Sequence, residues 1–181
     1  MAHLPPKSLP KRLPPKKVPT KRLPPKKLPT RHFLAYWTPS TPALQEVGCI
    51  LAHSASNQFR RVRPGDTVWI VTVRDGVLHL VTRIVVGLVT DQAGAEKHFP
   101  YQPGGVWEAS HHIIASPGTE LPRYYLNIHR LAASLRFKSK KGNDRLTLTA
   151  DGMVNAQQLQ TMRTLWPEAA EMLAKELGIS A

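Results

Sequence analysis

The first 31 residues are a proline- and lysine-rich repeat, and this repeat is the strongest limit on what the chain can fold into. Residues 11–20 read KRLPPKKVPT, residues 21–30 read KRLPPKKLPT, and a degraded copy precedes them. Nine of the 17 prolines lie in residues 1–31, so about half of these residues either lack the amide donor that helix and sheet ladders need or directly precede a proline. We therefore predict that residues 1–31 are a disordered, extended tail and that residues 32–181 form the folded domain.

Most of the excess positive charge also lies in this tail. The sequence has 25 Lys and Arg against 12 Asp and Glu, and ten of those cations and no carboxylate lie in residues 1–31. The remaining residues have 15 cations and 12 carboxylates, a net charge of only +3. Cations along an extended chain contact phosphates in a salt-dependent way, and we expect Lys16, Lys17, Lys26 and Lys27 to do so. A merely solubilising extension is an equally good interpretation.

Cysteine content and hydropathy indicate in which cellular compartment the protein is expected. Cys49 is the single cysteine, so no intramolecular disulfide can form, which fits a reducing compartment. No apolar run approaches the roughly 18–20 residues that span a bilayer, and the basic N-terminus lacks the apolar segment of a signal peptide. The sequence therefore predicts a cytoplasmic protein without a membrane partner.

The pattern of residues 32–181 alternates between strands and short helices. The Asp75-Gly76 turn joins two apolar β-branched runs, Thr67–Val73 and Val77–Thr90, into a hairpin, and Gly87 predicts a bulge in the second run. The other predicted strands are 32–37, 106–115, 121–127, 135–137 and 145–149, and the predicted helices are 41–51, 91–99, 154–165 and 167–177. This order indicates an α+β fold, a small and mostly antiparallel β-barrel with short peripheral helices.

Motifs for catalysis and metal binding are missing from the sequence. It contains no glycine-rich phosphate loop, no G-x-S-x-G elbow and no H-E-x-x-H pattern. His111 and His112 are adjacent in a predicted strand and point to opposite faces, so they cannot chelate one metal as a pair. Cys49 lies on the apolar face of a predicted helix, which favours a buried core residue over a nucleophile. We expect no enzymatic activity, no metal and no cofactor.

Aromatic and small polar residues are more informative. His53–Gln58 (HSASNQ) packs hydrogen-bonding side chains closely together, and Trp37, Trp69 and Trp107 lie in or beside predicted strands. An aromatic face stacks on any base, while amide and hydroxyl groups read the base edge. The competing interpretation is that the tryptophans are core residues and that Ser54–Asn57 only caps a helical turn.

Three features follow one another in residues 32–90: the aromatic strand His32–Thr38, the Asn-containing segment Ser54–Gln58, and the turn Val62-Arg63-Pro64-Gly65-Asp66 before an apolar strand. This series resembles the EVE domain of the PUA-like superfamily, which is related to YTH and ASCH domains. The resemblance implies a PUA-like barrel that holds a modified base between its first strand and the polar segment.

Carried over to this sequence, the resemblance implies a base pocket lined by Trp37, Thr38, Ser56, Asn57 and Trp69. Such domains often have a tryptophan shortly before the Asn segment, where this chain has Ile-Leu-Ala-His. The remaining wall is then His53, with Ser54 next to it, or a tryptophan from elsewhere. We expect Arg60 and Arg61, just beyond the pocket, to contact phosphates.

The sequence therefore predicts a nucleic-acid-binding module that reads a modified or flipped base in DNA or RNA without catalysis of its own. One alternative is a general RNA-binding PUA-like protein that acts on tRNA or rRNA through surface charge. Another is an accessory subunit of a modification-dependent nuclease, whose catalytic effector protein is encoded separately.

Overall fold

The computed structural model describes residues 29–41, 46–100, 105–139 and 142–180. Within these ranges the fold is α+β, as predicted, with a mixed and mostly antiparallel sheet and few short helices. The strands are β1 His32–Tyr36, β2 Ile50–Leu51, β3 His53–Ala55, β4 Thr67–Arg74, β5 Val77–Thr90, β6 His112–Ala115, β7 Leu121–Pro122, β8 Leu126–Asn127 and β9 Arg163–Thr164. The α-helices are α1 Gln92–His98 and α2 Pro167–Glu176, and the 3₁₀ helices are Asn57–Arg61, His129–Ser134 and Ala156–Leu159. Lys16, Lys17, Lys26 and Lys27 lie outside the described residues.

The principal sheet is open. Its strand order is β3-β6-β5-β4-β1-β9, with β8 paired to β5, while β2 and β7 form a separate ribbon. β1 runs parallel to β4, and the other ladders are antiparallel. Because β3 and β9 are the two ends of this order and do not pair with each other, the predicted closed barrel is not formed. Helices and loops cover both faces of the sheet instead, which buries its apolar side chains without closure.

The β4–β5 hairpin confirms the predicted one. Asp75 and Gly76 have φ values of 51° and 74°, as a type I′ turn requires at both central positions. The register of β5 against β6 shifts between Val86 and Leu88, so the bulge predicted at Gly87 is present. Helix α1 is also confirmed, and the Asp91 side chain accepts a hydrogen bond of 2.9 Å from the Gly94 amide at its start.

Two apolar clusters pack on opposite faces of the sheet. β4 is buried from Thr67 to Val73 and contributes to both clusters, since successive side chains of a strand point to opposite faces. Trp69 and Val71 belong to the cluster that contains α2. Val68 and Ile70 belong to the other, which contains Phe59 of the 3₁₀ helix Asn57–Arg61.

Several predicted elements are wrong. Residues 46–51 form a turn and β2 rather than the end of a helix, and Cys49 is exposed rather than buried; residues 42–45 of that predicted helix lie outside the described ranges. The predicted helix 154–165 is instead a 3₁₀ turn followed by β9, which pairs with β1. The predicted hairpin of 135–137 with 145–149 forms no β-ladder among the described residues: Phe137 donates its amide to the Asp144 carbonyl oxygen at 2.8 Å and forms a β-bridge with Leu165. Of the predicted strand 106–115, only His112–Ala115 is a strand.

Candidate functional site

The 3₁₀ helix Asn57–Arg61 positions the polar segment that the sequence singled out. Ser56 caps this helix, because its extended backbone lets Oγ accept a hydrogen bond of 3.1 Å from the Gln58 amide. Phe59 is buried and fixes the helix to the sheet. A 3₁₀ helix has three residues per turn, so Asn57 and Arg60 share one side of the helix while Gln58 and Arg61 share another.

Hydrogen bonds fix the orientation of the Asn57 side chain. Its Oδ1 accepts from the Ser110 backbone amide at 2.9 Å and from the Ser110 hydroxyl at 3.0 Å. A backbone N–H can only donate, so the oxygen of the Asn57 amide must face Ser110. The Nδ2 group then has two donor hydrogens that no hydrogen bond among the described residues uses.

Asn57 lies in a concavity of about 640 Å³ together with the segment 107–110 and Gln92. We refer to it as the Asn57–Trp107 concavity. Trp107 is 68% exposed, more than any other large apolar side chain in the described part of the chain. Glu108 also lines the concavity. An exposed indole, an oriented amide donor and a carboxylate acceptor therefore meet at one place on the surface.

Gln92 holds this concavity together. It lies in the first turn of α1, and its Oε1 accepts a hydrogen bond of 3.1 Å from the Ala109 amide. This bond fixes the orientation of the Gln92 side chain, and its Nε2 donates to Glu96 Oε1 at 2.8 Å. Gln92 thus ties the loop of Trp107 to helix α1.

Two stacked histidines, the buried His112 and the half-buried His53, support Gln92. His112 Nε2 lies 2.9 Å from Gln92 Oε1 and 3.0 Å from the Ala109 carbonyl oxygen. Both partners are acceptors, so His112 carries its proton on Nε2 and leaves Nδ1 to accept the 2.9 Å hydrogen bond from His53 Nε2. For neutral rings, this pattern sets the tautomer of both histidines.

His53 contacts its neighbours rather than open space. Its ring lies 5.1 Å from the Phe99 ring, centroid to centroid. Burial, and then the proximity of His112 and His98, lower the pKa of His53 to about 4. His53 therefore supports the Asn57–Trp107 concavity from beneath Gln92 and does not line it.

The structure does not bring the other predicted pocket residues to Asn57. Trp69 is fully buried on the sheet face opposite Phe59, and its Nε1 donates to His32 Nδ1 at 3.4 Å. It cannot stack on a ligand held at Asn57. Ser54 is buried, and its hydroxyl has no hydrogen-bond partner among the described residues.

Trp37 and Thr38 also lie apart from the concavity. Trp37 is half-buried and packs against the cluster of Phe59. Thr38 is exposed, and its hydroxyl hydrogen-bonds with Ser40 at 3.0 Å and with Thr41 at 3.3 Å. Asn57 is thus the one residue of the predicted pocket that lines this concavity.

Arg60 and Arg61 are both exposed, but they face different surroundings. Arg61 lines a separate concavity of about 540 Å³, with Lys138, Arg145 and Arg163. Arg60 does not line it, in agreement with the different sides of the 3₁₀ helix on which the two arginines lie.

Sequence reasoning missed Gln92 and named Trp107 only as one of several aromatic candidates. The cap at Asp91 was a local signal for α1, but nothing in the sequence showed that Gln92 would reach Ala109.

No protein-family model matches the chain, and no curated protein is significantly similar to it. No helix in the described ranges is long and apolar enough to cross a membrane, and these residues contain no group of three His, Cys, Asp or Glu that could hold a metal ion.

Proposed function

We propose that the protein is a nucleic-acid-binding module that captures an unpaired or flipped nucleobase in the Asn57–Trp107 concavity, without catalysis of its own. The observation that carries this proposal is the exposed indole of Trp107 beside the oriented amide of Asn57. Exposing a tryptophan to water is unfavourable, whereas stacking a base on it is worth about 1–3 kcal/mol per base.

The polar groups supply the recognition of the base edge. Asn57 Nδ2 can donate only, so it suits a ring nitrogen or carbonyl oxygen of the base. Glu108 suits an exocyclic amine, as carboxylates do when they accept from the N4 group of cytosine. The volume of about 640 Å³ lies within the roughly 300–1,000 Å³ that is usual for small-ligand sites.

The resemblance to EVE domains suggests that the base is a modified one. Binding to otherwise identical oligonucleotides with unmodified, cytosine-methylated and adenine-methylated bases tests this part of the proposal. Equal affinity for all three would favour the general RNA-binding alternative, in which surface charge supplies the affinity. Cleavage by the purified protein with added divalent metal would instead favour a nuclease.

Variants at Trp107 test the stacking face. We expect Trp107→Ala to weaken binding of a single-stranded oligonucleotide by about 1–3 kcal/mol, or roughly 5- to 150-fold, while Trp107→Phe keeps most of the affinity. Ile50→Ala is the matched control, because Ile50 is similarly exposed and lies outside the concavity. Wild-type affinity in Trp107→Ala, measured by fluorescence anisotropy, would overturn the proposal.

Asn57→Asp extends the same experiment to the base edge. The aspartate keeps an oxygen for the two Ser110 hydrogen bonds but replaces the donor group by an acceptor. We therefore expect unchanged thermal stability and a loss of affinity of about 1–3 kcal/mol.

A further inference from the structure

A strongly basic cleft lies next to the Asn57–Trp107 concavity. It is the concavity of about 540 Å³ lined by Arg61, and its lining residues include four cations and no carboxylate. The cations are Arg61, Lys138, Arg145 and Arg163. Residues 32–181 have a net charge of only +3, so this cleft concentrates positive charge on an otherwise balanced domain.

The cleft cations form no ion pair within the described part of the chain, although the nearby Asp144 carboxylate attracts Arg163. The ion pairs there join Arg31 and Arg63 to Asp66, Arg123 to Glu46, Arg130 to Glu176, and Arg136 to Asp144. None of them uses a cleft cation. Lys138 Nζ lies 5.1 Å from the centre of the Trp166 ring, a contact that leaves its charge intact. Like charges held together repel one another, and a polyanion removes that repulsion.

The walls of the cleft are fixed by hydrogen bonds and packing. The Arg163 guanidinium lies 3.8 Å from the centre of the Phe137 ring and donates to the Asn143 carbonyl oxygen. Gln158 bridges the Thr147 backbone, accepting from its amide at 2.8 Å and donating to its carbonyl at 2.7 Å. Arg163 and the Gln158–Thr147 wall are therefore held in place, so an anion that binds in the cleft meets at least one fixed guanidinium.

Gln58 connects the cleft to the base site. Its Nε2 donates to the Gln160 carbonyl oxygen at 2.7 Å, and its Oε1 accepts from the Met162 amide. The 3₁₀ helix Asn57–Arg61 places Asn57 in the Asn57–Trp107 concavity. Through Gln58 it is also fixed to the residues just before β9, of which Met162 lines the basic cleft. Along the axis of this helix Asn57 and Arg61 are separated by about 8 Å, a distance that neighbouring nucleotides of one strand can span.

We propose that the basic cleft binds the sugar–phosphate backbone of the same strand whose base enters the Asn57–Trp107 concavity; this inference rests on the proposed function. Phosphate contacts position a strand without reading its sequence, whereas contacts to the base specify it. The strand then runs across the 3₁₀ helix, with its base at the Asn57 end and its phosphates at the Arg61 end.

The test compares two double variants of the full-length chain with the same net charge. Lys138→Gln/Arg145→Gln removes two cleft cations, and Arg74→Gln/Lys175→Gln removes two exposed cations outside the cleft. Affinity for a labelled single-stranded oligonucleotide is measured at several salt concentrations. We expect the slope of log affinity against log salt to flatten by about 1.4 in the cleft variant, at roughly 0.7 per single-strand phosphate contact, and to change little in the control variant. Equal slopes in the two variants would overturn the inference.

Repeating the measurement with an abasic strand of the same length separates this inference from the proposed function. On the abasic strand, the slope of log affinity against log salt should flatten in the cleft variant by the same amount as before. Trp107→Ala, by contrast, should weaken binding only when bases are present. A slope loss without any effect of Trp107→Ala would retain the cleft and reject the base site. An effect of Trp107→Ala with no difference between the two double variants would reject the cleft and retain the base site.

Discussion

His53 and His112 show how the direction of a few hydrogen bonds fixes the chemistry of a site. His112 Nε2 faces two acceptors, so the proton position of both rings follows from a carbonyl and an amide oxygen. The pKa of His53 is lowered from 6.5 to about 4 in the folded protein, first of all by burial. Between these two pH values the unfolded chain binds more protons at this position than the folded chain, so the stability falls as the pH falls.

The low pKa of His53 makes the stability of the fold depend on pH. We expect the free energy of unfolding to drop by about 2 kcal/mol at His53 between pH 7 and pH 4, allowing for the partial exposure of the ring. The titratable groups near His53 are His112 and His98, with Glu96 joined to the network through Gln92. Urea denaturation of the parent and of His53→Phe at pH 7, 5.5 and 4.5 measures the effect. The variant should show the flatter pH profile, and parallel profiles would contradict the assignment.

At the scale of elements, the bulge in β5 depends on the lack of a side chain at Gly87. A Cβ placed there would lie 2.8 Å from the Ser116 Cα, which is a backbone atom and cannot turn aside. Ser116 also donates its amide to the Val85 carbonyl oxygen at 2.7 Å. The end of β6 is therefore held tightly against the bulge, and β6 carries His112.

We expect Gly87→Ala to destabilise the fold by about 1–3 kcal/mol, the usual cost of forcing an extra carbon into a packed region. Leu88→Ala is the control, because it changes the next residue of the same strand, whose side chain is exposed. Urea denaturation of both variants decides the matter. A Gly87→Ala variant as stable as Leu88→Ala would show that the backbone of Ser116 can move away.

Elements with local signals could be predicted from the sequence, and elements formed by distant pairing could not. The Asp75-Gly76 turn and the Asp91 cap identify the β4–β5 hairpin and α1, since both signals act within a few residues. β9 instead depends on Arg163 pairing with Leu34 across the whole domain, and its apolar spacing was misinterpreted as a helix.

The residues of the candidate site divide in the same way, into those that a local sequence signal indicates and those that only distant contacts bring to the site. The residues around Asn57 stood out because a dense polar cluster in an apolar sequence requires a reason. The sequence interpretation did not separate Trp69, inside a predicted strand, from Trp107, at the start of another, and their different exposure follows from the tertiary structure. The continuous apolar run of β4 was, however, a signal that both faces of this strand are buried, which would have argued against Trp69.

At the scale of the whole molecule, the boundary between repeat and domain is marked by an ion pair between the buried Asp66 and the partly exposed Arg31. Asp66 is 1% exposed and binds the Arg31 guanidinium at 2.6 Å and 3.1 Å, as well as the Arg63 amide at 2.9 Å. Arg31, assigned to the tail by the sequence division at residue 31, is therefore in contact with the domain. A buried carboxylate that loses its partner is strongly destabilising.

Two truncations test the boundary. We expect deletion of residues 1–28 to leave the free energy of unfolding within about 0.5 kcal/mol of the full-length value. Deletion of residues 1–31 should lower it by about 2–4 kcal/mol, because Asp66 loses its main cation. Arg31→Ala in the full-length chain should reproduce most of this loss. Equal stability of the two truncated proteins, measured by urea denaturation, would show that Arg63 alone satisfies the carboxylate.

The same ion pair determines where the repeat is tethered. The Arg31 guanidinium also donates to the Arg61 carbonyl oxygen at 2.7 Å, so the repeat joins the domain next to a residue of the basic cleft. Lys27 is four residues away, and the backbone cannot carry it farther than about 14 Å from Arg31 in any conformation. For a strand held in the cleft, the repeat cations would thus be present at a high effective concentration, about millimolar for a short tether. Their contribution would be avidity, which slows the release of a strand that the domain has already bound.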